Sequence, residues 1–373
     1  MRKFKLHVGL SLVLAIAVFG TACGNNTSTT SQESNQETNQ ETNQETNQET
    51  NQETNSESNQ ETNQEIGEES GQSELGETTY PVTYDAVDIQ GNSYTQIYEE
   101  TPQKVFPNNQ GTAETMLKLG LSANIVAVGP LTGAIAEGLE DEYNALPLIS
   151  DQGYISKEQL LAVEPDLAIG RSALFTDDAG WGLGLIPDLN AVGINVYTQK
   201  ASLNNAKIED MFTDIRDLGT LFNVQEKAEE MASELEVRYN NLVEANKDQE
   251  DLDYLIISNV QENQYMAFGT TDTAMHNDAF NGMHLNNPVE TTGLLSAETI
   301  IELNPDVILV LDVAGGGMYD GNNTKELIMN SEEINMIDAI TNDKVIVTDY
   351  SDLLLYNFRL LDVLENVANI VFN

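Results

Sequence analysis

One long uninterrupted helix constrains the fold of this chain more than any other feature. Apolar residues recur at helical spacing from Asn223 to Asn246, and neither Gly nor Pro breaks the segment. Asn223 and Glu226 have the spacing of a capping box, so we predict that the helix begins at Asn223. Its length would be roughly 35 Å, about the diameter of a small domain. The alternative is an ordinary surface helix, and the sequence on either side favours a more central place.

The segments that flank this helix repeat one phrase. Residues 155–170 read ISKEQLLAVEPDLAIG, and residues 295–310 read LSAETIIELNPDVILV. In each, a serine (Ser156 or Ser296) is placed to cap a short helix that ends before a proline. The apolar run that follows is typical of a buried parallel strand. Two matching helix–strand units on either side of one helix predict two lobes of similar build.

Strands alternate with helices over most of the chain, which predicts an α/β fold with mainly parallel sheets. We therefore expect two Rossmann-like lobes joined by one rigid helix. Within the first lobe, Gly91-Asn92 marks a hairpin turn, and residues 125–128 are predicted to form a strand. The predicted divisions are a signal peptide (1–22), an acidic tether (23–79), an amino-terminal lobe (80–222), a linking helix (223–247) and a carboxy-terminal lobe (248–373).

The first 23 residues have the pattern of a secretory signal. A basic start precedes an apolar run at residues 6–19, and small residues then lead to Cys23. The run is too short to span a membrane as a helix. The pattern resembles a bacterial lipoprotein signal, which implies that Cys23 is lipidated and anchors the chain on the extracytoplasmic face of the cell membrane. The alternative is a secreted protein in which Cys23 is incidental. Because Cys23 is the only cysteine, the mature fold has no internal disulfide.

Charge and composition separate the tether from the folded region. Residues 31–65 repeat NQET with small variations and are too polar to bury a core, so we expect a disordered tether. The formal net charge of the whole chain is −45, and most of it remains beyond the tether. This charge argues against nucleic acid and anionic membrane surfaces as partners.

Histidine is nearly absent, which limits the chemistry available. Of the three histidines, His7 lies in the signal, and only His276 and His284 remain. Two histidines are too few for a closed metal site, and a hydrolase would need a nucleophile with a base. We therefore predict no enzymatic activity, no bound metal and no cofactor.

Four segments in consistent order resemble a known family. They are QKVFPNNQGTAETMLKLGLSANIVAVG at 103–129, the two repeated phrases, and TNDKVIVTDY at 341–350 with FRLLDVLENVANIV behind it. This pattern resembles the substrate-binding proteins of iron-siderophore and cobalamin ABC importers from Pro81 onward. The resemblance implies a monomer that binds its ligand between two lobes and delivers it to a permease and ATPase complex. A surface capture or adhesion protein with the same fold is the alternative.

Ligands of open α/β sheets bind beyond the carboxyl ends of the strands, and aromatic side chains there can stack on a bulky ligand. The alternative for each such residue is a packed loop position, and for the single tryptophan a place in the lobe's own core. The candidate ligand-binding residues are Asn109, Arg171, Trp181, Tyr265, Phe268, Tyr319, Tyr350 and Arg359.

The scarcity of arginine favours a ligand of low negative charge. A ferric tris-catecholate is strongly anionic and would need several cations, whereas a ferric hydroxamate siderophore is neutral or cationic. Cobalamin or another corrinoid fits the same argument. Haem would need an axial ligand, for which Tyr265 or His284 could serve.

The repeated phrase also places one glutamate in each lobe at the same position, Glu158 and Glu298. The resemblance implies that this pair docks on arginine pockets of the permease. The alternative is that each carboxylate only complements the dipole of its own helix.

Overall fold

The computed structural model describes residues 76–151, 153–178, 180–313 and 318–372. The signal, Cys23 and the NQET repeat lie outside these residues. Within them, no helix is both long enough and apolar enough to cross a membrane.

The strands and helices of the described residues alternate along the chain. The strands are β1 (Val82–Val87), β2 (Ser93–Tyr98), β3 (Val105–Pro107), β4 (Leu167–Gly170), β5 (Asn195–Thr198), β6 (Leu252–Gln261), β7 (Gln264–Phe268), β8 (Leu285–Asn286), β9 (Gly293–Ser296), β10 (Val307–Asp312) and β11 (Val345–Asp349). The helices are α1 (Gln110–Lys118), α2 (Glu140–Asn144), α3 (Lys157–Ala162), α4 (Ile186–Ala191), α5 (Ile208–Leu221), α6 (Gln225–Asn246), α7 (Ala274–Asn281), α8 (Ala297–Leu303), α9 (Gly321–Met329), α10 (Asp338–Thr341), α11 (Tyr350–Leu354) and α12 (Leu360–Phe372).

Apart from the antiparallel hairpin β1–β2, the strands before α6 form one sheet and the strands after α6 form another. The first has the order β3-β4-β5 and is parallel. The second has the order β11-β10-β6-β7-β9, in which β11, β10 and β6 are parallel and β7 and β9 join as antiparallel strands. The predicted α/β class with mainly parallel sheets is confirmed. We call the elements before α6 the amino-terminal lobe and those after it the carboxy-terminal lobe; the numbered domain boundaries stay a prediction.

The repeated phrase forms the same local structure in both lobes. Ser156 accepts a hydrogen bond from the Gln159 N–H (3.3 Å) and caps α3. Ser296 accepts one from the Thr299 N–H (3.2 Å) and caps α8. The apolar runs that follow become β4 and β10, which are parallel and buried almost throughout. Both predictions are confirmed.

The long helix exists, but its predicted start is wrong. Helix α6 begins at Gln225, and no side chain caps it. Asn223 instead takes a left-handed conformation (φ 56°) in the turn between α5 and α6, and its Oδ1 accepts a hydrogen bond from the Thr78 N–H (2.7 Å). The Asn223 side chain therefore binds the segment that precedes β1 and does not cap the first turn of α6.

The strand predicted at residues 125–128 is also wrong. Ile125 and Val128 form only isolated bridges, the first to Val105 and the second to Leu148. The segment changes partner within three residues, because the Val126 N–H donates to Val105 O (2.9 Å) whereas the Val128 N–H donates to Pro147 O (2.8 Å). An apolar run that divides its hydrogen bonds in this way builds no continuous ladder.

The apolar core connects the lobes through α6. One cluster contains Met116 of α1, Leu235 of α6 and Leu364 of α12, all buried. Two further clusters each draw their members from a single lobe. Burial on this scale stabilises the protein by about 25 cal/mol per Å² of apolar surface, so the shared cluster holds α6 firmly to both lobes.

Candidate functional site

A cavity of about 360 Å³ lies between the loops that follow the strands of the two lobes. Asn109 reaches it from the end of β3 and Arg171 from the end of β4. Val313 reaches it from the end of β10 and Tyr350 from the end of β11. The carboxyl ends of four parallel strands therefore meet at one cavity, as expected for a ligand site in open α/β sheets.

Five of the residues predicted from the sequence line this cavity. They are Asn109, Arg171, Trp181, Tyr319 and Tyr350. Asn109 also has a structural role, because its Oδ1 accepts a hydrogen bond from the Thr112 N–H (2.8 Å) and so caps α1. Trp181 lines the cavity and also packs against the apolar cluster of the amino-terminal lobe, so both alternatives considered for it apply in part.

Two predicted residues on β7 lie away from the cavity. Strand β7 is antiparallel to β6, so Phe268, the last residue of β7, pairs with Ile256 in the middle of β6 and not with the carboxyl end of β6. Tyr265 is buried in the core of the carboxy-terminal lobe, with its hydroxyl 3.3 Å from Ser331 Oγ. The sequence rule does not apply to this hairpin arm, because its direction is reversed.

Arg359 is also absent from the lining. Its guanidinium is buried and paired with Glu114 and Asp352. Its place in the sequence suggested a position at the cavity. In the structure its guanidinium is instead paired with the carboxylates of Glu114 in α1 and Asp352 in α11.

His276 and His284 are not among the residues that line the cavity. His284 Nδ1 is 2.8 Å from Asp251 Oδ1. His276 is fully buried, and its ring centroid is 5.0 Å from that of Tyr356. Among the described residues, no three His, Cys, Asp or Glu side chains are grouped as a metal site would require.

The described lining carries one cation and one carboxylate. Asp151 and Arg171 are its charged members. The Arg171 guanidinium makes no hydrogen bond or ion pair with the other described residues, so its five N–H donors remain available to a ligand. Burial raises the pKa of Tyr319 and of Tyr356 to about 12, and the Arg171 charge only partly opposes this. Both phenols therefore stay protonated and can donate hydrogen bonds at neutral pH.

Aromatic rings supply much of the remaining wall. The rings of Tyr319 and Tyr350 lie 5.8 Å apart at 49°, and Trp181 lines another part of the cavity. Tyr154 and Tyr356 also line it and were missed by sequence reasoning. Tyr356 has a left-handed backbone (φ 54°) between α11 and α12, a conformation that concentrates at functional sites but that the sequence did not signal.

Comparisons with known proteins agree with this geometry. The profile of the family described as periplasmic binding protein matches residues 108–351. A search of curated proteins finds no match. Among solved structures, a periplasmic binding protein from Veillonella parvula is 22% identical, with a TM-score of 0.68, and the match covers 79% of this chain and 98% of that one.

Two further solved structures are of proteins named for the compounds that they transport or bind. An ABC-type Fe3+-hydroxamate transport protein from Saccharomonospora viridis is 21% identical, with a TM-score of 0.63 and coverage of 78% of this chain and 99% of that one. The periplasmic vitamin B12 binding protein of Vibrio cholerae is 16% identical, with a TM-score of 0.54 and coverage of 73% and 97%. At these identities the structures show a common fold.

Proposed function

Because the chain belongs to the periplasmic binding protein family, we propose that it captures a metal chelate in the cavity between its lobes and delivers it to the permease of an ABC importer. The observation that carries this proposal is the cavity itself, which collects the strand ends of both lobes and is walled by aromatic rings. Family members bind ligands outside the cytoplasm, so capture takes place on the extracytoplasmic side. Binding and release involve no covalent chemistry.

The balance of charge in the lining favours a ferric hydroxamate siderophore as the ligand. Among the described lining residues, the one cation, Arg171, is balanced by the one carboxylate, Asp151. A neutral chelate can enter such a cavity without leaving charges unpaired, whereas a tris-catecholate would need several buried cations. The solved Fe3+-hydroxamate transport protein of the same fold supports this class.

Corrinoid and haem are the other ligands to be tested. A corrinoid suits a lining of low charge, and the solved vitamin B12 binding protein shares the fold. Haem needs an axial ligand, which the tyrosines of the lining could provide.

A ligand panel tests the proposal. A ferric trihydroxamate, a ferric tris-catecholate, haem and cobalamin would each be titrated into purified protein while the emission of Trp181, the only tryptophan, is followed. We expect the trihydroxamate to quench the emission saturably and to raise the melting temperature, since a ligand at 100 times its Kd stabilises the protein by about 2.7 kcal/mol. Tight binding of the catecholate with no response to the trihydroxamate would reject the ligand class. No binding of any chelate would favour the surface capture or adhesion protein.

We further propose that Glu158 and Glu298 dock the protein on its permease. Each is exposed at the second position of its helix, α3 or α8. Backbone N–H groups and the hydroxyl of the cap serine lower the pKa of both carboxyls, so both are ionised at neutral pH. The matched positions provide one anion on each lobe for arginines of a two-subunit partner.

The Glu158→Ala/Glu298→Ala double variant tests the docking role. We expect import to be lost and affinity for the chelate to remain. Glu226→Ala is the matched control, because it removes a carboxylate from the first turn of α6 without touching either phrase. Import that persists in the double variant, or that falls equally in the control, would assign the glutamates to their helix dipoles.

The anchor is proposed from the sequence. Lipidation of Cys23 would hold the protein, as a monomer, at the cell membrane, with the NQET repeat as a tether. Cys23→Ser should release the protein into the medium or a soluble fraction. Retention of this variant in the membrane fraction would contradict the proposal.

A further inference from the structure

Arg359 connects the two lobes through buried ionic contacts. Its side chain is 9% exposed and that of its partner Glu114 is 0% exposed. Arg359 Nη1 donates to both carboxylate oxygens of Glu114 (3.2 and 3.3 Å), and Nη2 contacts the Asp352 carboxylate. Glu114 belongs to α1 of the amino-terminal lobe, whereas Asp352 and Arg359 belong to the carboxy-terminal lobe.

The same guanidinium also holds a loop of the opposite lobe. The Ala134 carbonyl accepts a hydrogen bond from Arg359 Nη1 (2.7 Å), and Ser351 Oγ lies 3.2 Å from the same nitrogen. Asp349, at the end of β11, accepts a hydrogen bond from the Ala134 N–H (3.2 Å). Both polar groups of the Ala134 backbone are therefore bound by the carboxy-terminal lobe.

The amino-terminal lobe holds this loop from its own side. Gln110 Oε1 accepts a hydrogen bond from the Thr132 N–H (3.0 Å), and its Nε2 donates to the Ala134 carbonyl (2.7 Å). Glu114 Oε1 accepts one from the Ala136 N–H (2.9 Å). Glu114 thus binds the loop and the arginine of the opposite lobe at the same time.

The residues that make these contacts are close in sequence to residues that line the cavity. Leu131 and Thr132, just before the bound loop, line it from the amino-terminal lobe. Tyr350 and Tyr356, on either side of Asp352 in sequence, line it from the carboxy-terminal lobe. A change in the ionic contacts would therefore move both walls.

Buried charges are tolerated only when they are paired and hydrogen-bonded. If Arg359 loses its charge, the Glu114 carboxylate remains in a dry site between the lobes. Separation of the lobes would admit water to that carboxylate and relieve the cost, so an intact ion pair favours the closed arrangement.

We propose that Glu114, Arg359 and Asp352 form an interlobe latch that fixes the spacing of the cavity walls before a ligand arrives. Arg359 is then a positioning residue, which sets affinity without touching the ligand. The effect on affinity rests on the proposed function, whereas the effect on spacing does not.

Distances between spin labels test the latch without a ligand. Labels on cysteines that replace Val192 in the amino-terminal lobe and Met336 in the carboxy-terminal lobe would report the spacing, since both positions are exposed. The full mature chain would carry Cys23→Ser in every sample. We expect one narrow distance distribution for the parent and a broader or longer one for Arg359→Met.

Two further variants show whether a change in the distance distribution comes from the loss of the latch. Arg238→Met is the matched control, because Arg238 pairs with Asp362 and Glu365 of α12 at the protein surface. It should leave the distribution unchanged. Glu114→Gln keeps the shape of the side chain and removes only its charge, so it replaces Arg359→Met as the test if that variant does not fold.

Titration with a ferric trihydroxamate gives the second readout. We expect the Kd to rise at least tenfold in Arg359→Met and to stay unchanged in Arg238→Met. A folded Arg359→Met or Glu114→Gln with the parent distance distribution would overturn the latch, even if its melting temperature falls. If the parent does not bind the trihydroxamate, the ligand proposal fails, and the distances still decide the latch.

Discussion

Replacement of His276 by phenylalanine should remove a large part of the protein's sensitivity to mild acid. His276 is fully buried on α7, beside the ring of Tyr356. Neither ring nitrogen has a partner in hydrogen-bond geometry among the described residues. Burial lowers its pKa from 6.5 to about 3, and the nearby Leu353 backbone opposes this only in part. The imidazole is therefore neutral in the folded protein throughout the physiological range.

The sign and size of the effect follow from proton uptake. Below pH 6.5 the histidine of the unfolded chain takes up a proton, whereas His276 in the folded protein does not until the pH approaches 3. The contribution of His276 to the free energy of unfolding is therefore present above pH 6.5 and is lost as the pH falls. At 1.36 kcal/mol per pH unit well below the unfolded pKa, and less near it, the loss between pH 7.5 and 4.5 is about 2.7 kcal/mol.

Urea denaturation at several pH values between 7.5 and 4.5 would measure this loss. His276→Phe keeps a ring of similar size and removes the titrating group. The titration of the many carboxylates is shared by both proteins, so the difference between their pH profiles isolates His276. Parallel profiles for the parent and the variant would refute the assigned burial and pKa.

Four further substitutions probe the cavity, the repeated phrase and the loop at Gly133. Trp181→Ala should weaken chelate binding and also lower the melting temperature, because the ring both lines the cavity and packs on the lobe core; a change in only one would restrict Trp181 to one role. Ser156→Ala and Ser296→Ala should each lower the free energy of unfolding by about 1 kcal/mol in urea titrations, and no loss would refute the caps. Gly133→Ala should lower the melting temperature and chelate affinity, since a Cβ there would lie 2.1 Å from Asp349 Oδ1; a variant with parent values would show that the loop can yield.

The sequence predicted the features that short segments determine. The caps at Ser156 and Ser296, and the buried strands behind them, depend on a few adjacent residues and are confirmed. Asn223 had the right local spacing for a cap, but a hydrogen bond from Thr78, 145 positions earlier in the chain, took its side chain. Local patterns do not reveal such competition.

The sequence predicted those residues of the candidate site that directly follow a parallel strand. Arg171 and Tyr350 follow parallel strands, and both line the cavity. Tyr265 was predicted to lie near the same site. It belongs to the antiparallel strand β7, however, and its ring is buried in the core of the carboxy-terminal lobe. Arg359 depends on Glu114, which is 245 positions away, so its place in the latch required the folded structure.

The most direct test of the central claim compares two arginine substitutions on the amino-terminal lobe. Leu131 lines the cavity and Leu161 lies on α3 outside it, and both are exposed leucines. Calorimetric titration with a ferric trihydroxamate should show that Leu131→Arg raises the Kd at least tenfold, a loss of about 1.4 kcal/mol or more, because the long charged side chain obstructs the cavity. Leu161→Arg should keep the parent Kd. Equal affinity of the parent and both folded variants would contradict the claim that the chelate binds between the lobes.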